Sequence, residues 1–181
     1  MTDPLFDLTG KVAVVTGGSR GLGKAIVDAY AAHGADVVIA SRKIDACETL
    51  AAEITERYGR KALPVACNVS HWDDCDALAD RAYAEFGTVD ILVNNAGLSP
   101  LYESLPDVTE ALWDKVIGVN LKGPFRLSSL IGSRMAEGDG GAIVNMSSSA
   151  SVRPSPREIP YAAAKAGLNN LTDGLARTLG P

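Results

Sequence analysis

The chain has few of the features that mark membrane, metal or nucleic-acid proteins. No apolar run approaches the ~20 residues that a bilayer-spanning helix needs. The opening segment MTDPLFDLTGK carries two aspartates and no basic stretch leading into an apolar one, which reads against an ordinary secretory signal. Three cysteines, Cys47, Cys67 and Cys75, form an odd set with no C-x-x-C pair. No disulfide framework is expected from them; they read as small buried thiols in a reducing, cytoplasmic setting. His33 and His71 are the two histidines and show no paired ligand spacing, so no metal site is expected. Acidic residues outnumber basic ones, 22 to 17, for a net charge of −5. Without a basic run, the charge balance predicts no nucleic-acid partner.

Internal repeats, low-complexity tracts and linkers are also missing, and 46% of residues are hydrophobic. The 181 residues are therefore expected to form one domain, 1–181, large enough to bury about 70% of its unfolded surface. Short β-branched runs alternate with longer segments of helical periodicity. VAVVT (12–16), DVVIAS (36–41), ALPVACNV (62–69), VDILVNNAG (89–97) and GAIVNMSS (141–148) read as strands. KAIVDAYAAHG with its terminal glycine, residues 46–59 ending at Gly59, 71–86, 109–136 and a last segment opening near Pro160 read as helices. Gly123 and Pro124 predict a kink in the fourth, because proline removes a helical hydrogen bond. Such alternation implies right-handed crossovers and an α/β doubly wound parallel sheet of the Rossmann type, about five strands in extent.

TGGSRGLG follows the first strand and opens a helix. Gly17, Gly21 and Gly23 allow a tight turn and close backbone approach, and the helix N-terminus offers free N–H groups to a pyrophosphate. In isolation, such glycines could equally serve an ordinary strand–helix junction. The spacing T-G-x-x-x-G-x-G, the NNAG that ends the fourth strand and Y-x-x-x-K at 161–165 occur together and in order. With these motifs the chain resembles the short-chain dehydrogenase/reductase family from Lys11 to its last helix, in a 3-oxoacyl-reductase-like pattern.

The resemblance implies strand order 3-2-1-4-5 and a dinucleotide across the carboxyl ends of the strands. Gly17, Ser19, Arg20, Gly21, Leu22 and Gly23 would form the pyrophosphate turn. Asn68 and Val69 would contact the adenine, with Asn68 standing where many members carry Asp. Asn95, Ala96 and Gly97 would floor the adenosine ribose, whereas Asn94 reads as structural. The second strand ends IASRK, with Arg42 and no acid before Asp45. An acid there would suit the 2′-hydroxyl of NAD; Arg42 with Arg20 suits a 2′-phosphate, so NADP(H) is expected over NAD(H). The plain alternative is two solvated surface arginines.

Tyrosine and lysine four apart share one helix face. A nearby ammonium favours phenolate, letting Tyr161 exchange a proton with a substrate oxygen. In the family the lysine, here Lys165, also grips the nicotinamide ribose. Counting thirteen residues back from Tyr161 reaches Ser148, matching the family serine that shares the oxyanion charge; alternation along a persisting strand selects it from Ser147 and Ser149. Asn120 matches the helix asparagine that holds a water connecting the lysine to solvent.

The implied activity is hydride transfer between a nicotinamide and a ketone, 3-oxoacyl carbonyl or secondary alcohol. Residues 98–107 and 150–159 should border the substrate; Arg153 and Arg157 are candidates for meeting an acidic one, or are solvated. Relatives usually continue into further strands, a carboxamide-holding turn and a substrate lid, none of which appears before Pro181. The fifth strand is then expected to be an open edge. The contrasting function is an inactive truncated dinucleotide-binding fragment, or an interaction partner of a full-length relative. A homodimer or homotetramer through the helices at 109–136 and 161–179 is expected by resemblance.

Overall fold

The computed structural model describes residues 4–180. Five strands, β1 (Val12–Thr16), β2 (Asp36–Ser41), β3 (Ala62–Ala66), β4 (Ile91–Asn94) and β5 (Ala142–Asn145), form one parallel sheet in the order β3-β2-β1-β4-β5. Six α-helices connect and flank them: α1 (Gly21–Ala32), α2 (Ile44–Tyr58), α3 (Trp72–Phe86), α4 (Glu110–Ile117), α5 (Gly123–Glu137) and α6 (Ile159–Leu179).

The central strands bury both faces, which is why their sequences read as continuous apolar runs rather than alternating ones. Ala13, Val15, Val37, Ile39 and Val93 face α1 and α2, meeting Val27, Leu50 and Ile54. Val14, Val38, Val65 and Leu92 face the opposite way, onto Leu78 of α3 and Leu127 and Ile131 of α5. Helix α6 packs beside α4 and α5. β5 pairs with β4 alone among the described residues, and its Val144 is 42% exposed. No helix among the described residues is long and apolar enough to cross a membrane.

Three strands stop short of their expected ends at 69, 97 and 148. The ladder ends where side chains capture the backbone donors: the Asn95 N–H donates to Thr16 Oγ1, 3.0 Å, and the Asn68 N–H to Asp74 Oδ2, 2.8 Å. The peptide beyond each strand is thereby turned outward into the cleft described below. At the helix ends, Gly59 and Gly87 take left-handed conformations and cap α2 and α3, whereas α1 ends at His33, one residue before Gly34.

The expected break at Gly123–Pro124 is instead a π turn, Gly118–Lys122, with Gly123 N–H bonded back to Gly118 O. Pro124 has no N–H to give the carbonyl four residues earlier, at Asn120, and sits harmlessly in the first turn of α5. The glycines serve packing: a Cβ on Gly123 would overlap the Val69 carbonyl oxygen, and one on Gly118 would lie 3.0 Å from Ser70 Cβ. The π turn is thus pressed against the loop after β3, and on its other side it contacts α6.

Candidate active site

At the carboxyl ends of β1 to β4 lies a cleft of about 830 Å³. Its walls bring together Gly17, Ser19, Arg20, Gly21, Leu22, Gly23, Arg42, Asn68, Val69, Asn95, Ala96 and Gly97. Ser41, Lys43, Ala46, Cys67 and Val119 also line it, as does Leu98 from the 98–107 segment expected to border the substrate. Tyr161 and Lys165 are not part of this wall.

The glycine turn is shaped by contacts that exclude side chains. Gly17 and Gly21 have φ of +63° and +55°, in the left-handed region. A Cβ on Gly23 would collide with the Gly17 carbonyl oxygen, and one on Gly17 would lie 3.0 Å from both Asn95 Nδ2 and Ala96 Cα. Asn95 Nδ2 donates to the carbonyls of Thr16, 2.9 Å, and Gly17, 3.3 Å. Thr16 Oγ1 receives the N–H groups of Asn95 and Ala96. Thr16 opens the glycine motif in the sequence, yet only its burial under the NNAG turn discloses this fastening role.

No side chain caps the first turn of α1, so its N–H groups remain available at the glycine turn. That cradle of bare backbone fits a pyrophosphate. On the β2 side, Ser19 Oγ donates to Ser41 Oγ, 3.0 Å, which bridges to the Lys43 carbonyl, 3.2 Å. Arg20, Arg42 and Lys43 are exposed and form no ion pair among the described residues. Three cations beside a turn with no acid give this end of the cleft a positive lining suited to an anion. Asn68 spends its Oδ1 on Ser70 N and Oγ, with Nδ2 3.5 Å from His71 Nε2.

The second constellation sits where β5 meets α6. Because β5 ends at Asn145, strand alternation does not select among Ser147, Ser148 and Ser149; of the three, Ser147 has its hydroxyl already committed. Ser147 Oγ donates to Asn169 Oδ1 at 2.6 Å, and Ser151 Oγ donates to the Ser148 carbonyl at 2.6 Å. Ser148 Oγ accepts the Ala150 N–H, 3.2 Å, capping a short 3-10 turn, Ser149–Ser151, so its own proton stays available for donation. Asn169, unremarked in the sequence, ties this cluster to α6.

Lys165 is 3% exposed, donates from Nζ to the Met146 carbonyl at 2.6 Å, and lies 5.7 Å from the Tyr161 ring centre. Burial lowers its pKa from 10.5 to about 8. Asn120 is fully buried in the π turn; its Oδ1 accepts the Leu98 N–H, 3.2 Å, and its Nδ2 donates to the carbonyls of Leu98, 2.8 Å, and Val116, 2.9 Å. Its side chain therefore holds the loop after β4 and makes no hydrogen bond to Lys165. Asn94 joins Ser128 and Asn145 across the strand ends, as a structural residue.

Arg157 is not free to meet an acidic substrate: its Nε donates to the Tyr102 carbonyl, 2.8 Å, and its Nη2 pairs with Glu103, 2.6 Å. Arg153 forms no ion pair among the described residues. A separate apolar cavity of about 350 Å³, lined by residues such as Gly132, Ile143, Leu175 and Leu179, lies between α5, β5 and α6 and contains none of the predicted site residues.

Comparison with known proteins agrees with this fold. The family model described as short chain dehydrogenase matches residues 11–181. A D-threitol dehydrogenase of Mycolicibacterium smegmatis is 40% identical over 97% of this chain and 66% of its own length. The chain thus spans about two thirds of the length of that curated relative. A metagenomic short-chain oxidoreductase solved in complex with NADP superposes with a TM-score of 0.90 at 39% identity, covering 95% of this chain and 77% of that one. The L-sorbose reductase of Gluconobacter frateurii, complexed with NADPH and L-sorbose, gives a TM-score of 0.91 at 32% identity, covering 96% of this chain and 65% of that one. The chain belongs to the short chain dehydrogenase family.

Proposed function

We propose that this chain forms the dinucleotide-binding and catalytic domain of an NADP(H)-dependent oxidoreductase that interconverts a carbonyl and a secondary alcohol. The observation that carries the reading is the cleft at the strand ends, where a glycine cradle adjoins three cations and no acid. The residues of the turn, Gly17 to Gly23, hold the pyrophosphate. Arg20 and Arg42, with Lys43, favour the 2′-phosphate. The bound nicotinamide supplies or accepts the hydride.

The chain's own residues manage the proton and the charge. Ser148 keeps its hydroxyl proton and donates a hydrogen bond to the substrate oxygen, steadying the charge that develops there. Tyr161 gives a proton to that oxygen in reduction and takes one in oxidation. Lys165 keeps a positive charge at neutral pH, 5.7 Å from the ring centre of Tyr161. Asn120 secures the loop after β4 and occupies the position of the family's relay asparagine.

The relatives' names, D-threitol dehydrogenase and L-sorbose reductase, support a polyol or ketose substrate as readily as a 3-oxoacyl one. A homo-oligomer through α4–α5 and α6 is expected by resemblance, and on α4 and α5 the large apolar side chains of Trp113 and Phe125 are left 43% and 42% exposed. The buried free thiols suit a cytoplasmic setting.

The test is a fluorescence titration of the purified chain with NADPH and then NADH. Saturable binding with NADPH the tighter ligand supports the reading. A folded chain that binds neither nucleotide removes it and leaves the interaction-partner role.

A further inference from the structure

Helix α6 starts without a cap of its own. Its N-cap residue, Glu158, makes no side-chain bond to the first turn, and directs Oε1 to the Ser155 N–H, 3.2 Å away. The second helical residue, Pro160, has no N–H to satisfy. The first helical N–H that needs an acceptor is that of Ile159, two residues before Tyr161.

That donor is met from another loop. Tyr102, only 6% exposed, accepts the Ile159 N–H on Oη at 3.1 Å and donates its hydroxyl proton to the Pro156 carbonyl at 3.1 Å. The same loop is held again by Arg157, whose guanidinium reaches the Tyr102 carbonyl and Glu103. Its near end is fixed by the Asn120 amide, which takes both the N–H and the C=O of Leu98. The loop after β4 therefore runs as a strut from the π turn to the first turn of α6.

We infer that Tyr102 is a positioning residue for Tyr161: its phenol hydroxyl acts as the helix cap that α6 lacks and sets where the proton-exchanging tyrosine stands. A cap supplied from a distant loop differs from a local one in its consequence. Displacing residues 98–107 would release the start of α6, so the substrate-side wall and the proton donor move as one unit. The exposed Arg157–Glu103 pair contributes little by itself; the buried hydroxyl, satisfied in both directions, is the joint. The importance of Tyr161 rests on the function proposed above, but its placement by Tyr102 can be read without any nucleotide.

The experiment is nuclear magnetic resonance on the full chain with amide nitrogen labels and ring-labelled tyrosine, comparing wild type with Tyr102→Phe. The variant keeps the ring and loses only the hydroxyl. The Ile159 amide should exchange about tenfold faster, as for the loss of one hydrogen bond at a helix start. The Tyr161 ring signals should shift or broaden while those of Tyr30, Tyr58 and Tyr83 stay in place. Unchanged Ile159 exchange and unchanged Tyr161 signals in a folded variant overturn the inference. Should Tyr102→Phe fail to fold, wild type decides alone: an Ile159 amide that exchanges at the unprotected rate is uncapped and ends the proposal, and a protected one upholds the cap. An NADPH titration that fails while these signals behave as expected would count against the proposed function only.

Discussion

Lys165 reaches back nineteen residues to place its ammonium 2.6 Å from the carbonyl oxygen of Met146, with the Tyr161 ring centre 5.7 Å away. The bond joins the middle of one turn of α6 to the peptide just beyond β5, and it fixes the cation where water is largely excluded. The native lysine accordingly loses its proton near pH 8, well before a solvated one does. Between about pH 8 and 10.5 the unfolded chain holds that proton and the native chain does not, so this group favours folding increasingly as pH rises through that window. Below it the full cost of burying the charge is present. Compared with Lys165→Met in urea unfolding, wild type should gain relative stability from pH 7 to pH 10. A difference between the two proteins that is the same at both pH values would show that the lysine titrates as a solvated one.

Gly23 has no room for a methyl group, since a Cβ there meets the Gly17 carbonyl oxygen and lies 2.6 Å from Asn95 Nδ2. Gly23→Ala should cost about 1–3 kcal/mol through backbone displacement. It should also weaken NADPH binding at least tenfold, roughly what a misplaced charged hydrogen bond is worth. Thermal melting and nucleotide titration of the same preparation separate the two effects. Unaltered affinity would mean that the pyrophosphate does not lie on this turn.

Arg42 stands exposed at the cleft with no acidic partner among the described residues. Arg42→Ala should raise the NADPH dissociation constant about tenfold or more, the value of a charge-assisted hydrogen bond, and leave NADH nearly unchanged. The selectivity ratio is the measurement. Equal losses for both nucleotides would assign Arg42 to general electrostatics and not to the 2′-phosphate.

Asn120 makes three hydrogen bonds from full burial, two of them to Leu98. Asn120→Ala should destabilise the chain by about 2–3 kcal/mol, because the amide of Leu98 and the Val116 carbonyl lose their partner. It should also speed amide exchange in residues 98–107 more than in β1. Uniform acceleration across the chain would mean that Asn120 supports the fold at large and not this loop in particular.

Much of this arrangement follows from residue order alone. A strand covered on both faces has to be apolar throughout, so VAVVT and DVVIAS are recognisable without any partner in view. Gly59 punctuates its helix because a left-handed cap favours a residue without a Cβ. The glycine turn, the NNAG and the tyrosine–lysine pair are local spacings, and local spacing survives in one dimension.

What the tertiary structure decided are the matters in which distant residues compete for the same atom. The strands end sooner than their sequences predict because Asn68 and Asn95, which read as continuations of their strands, give their N–H groups to Asp74 and Thr16. The helix break moved to Gly118–Lys122 because the ladder widens ahead of the proline and the turn packs on Val69 and Ser70. Arg157 changed from a candidate anion ligand to a strut because Glu103 and the Tyr102 carbonyl claim it, 54 and 55 residues away in sequence. Tyr102 itself carries no motif: one aromatic in a proline-containing loop becomes the cap of a helix only when the fold brings the ends of β4 and β5 side by side. Sequence determines which chemical groups a strand end can offer; close packing determines which of them are already bound and which are left to act.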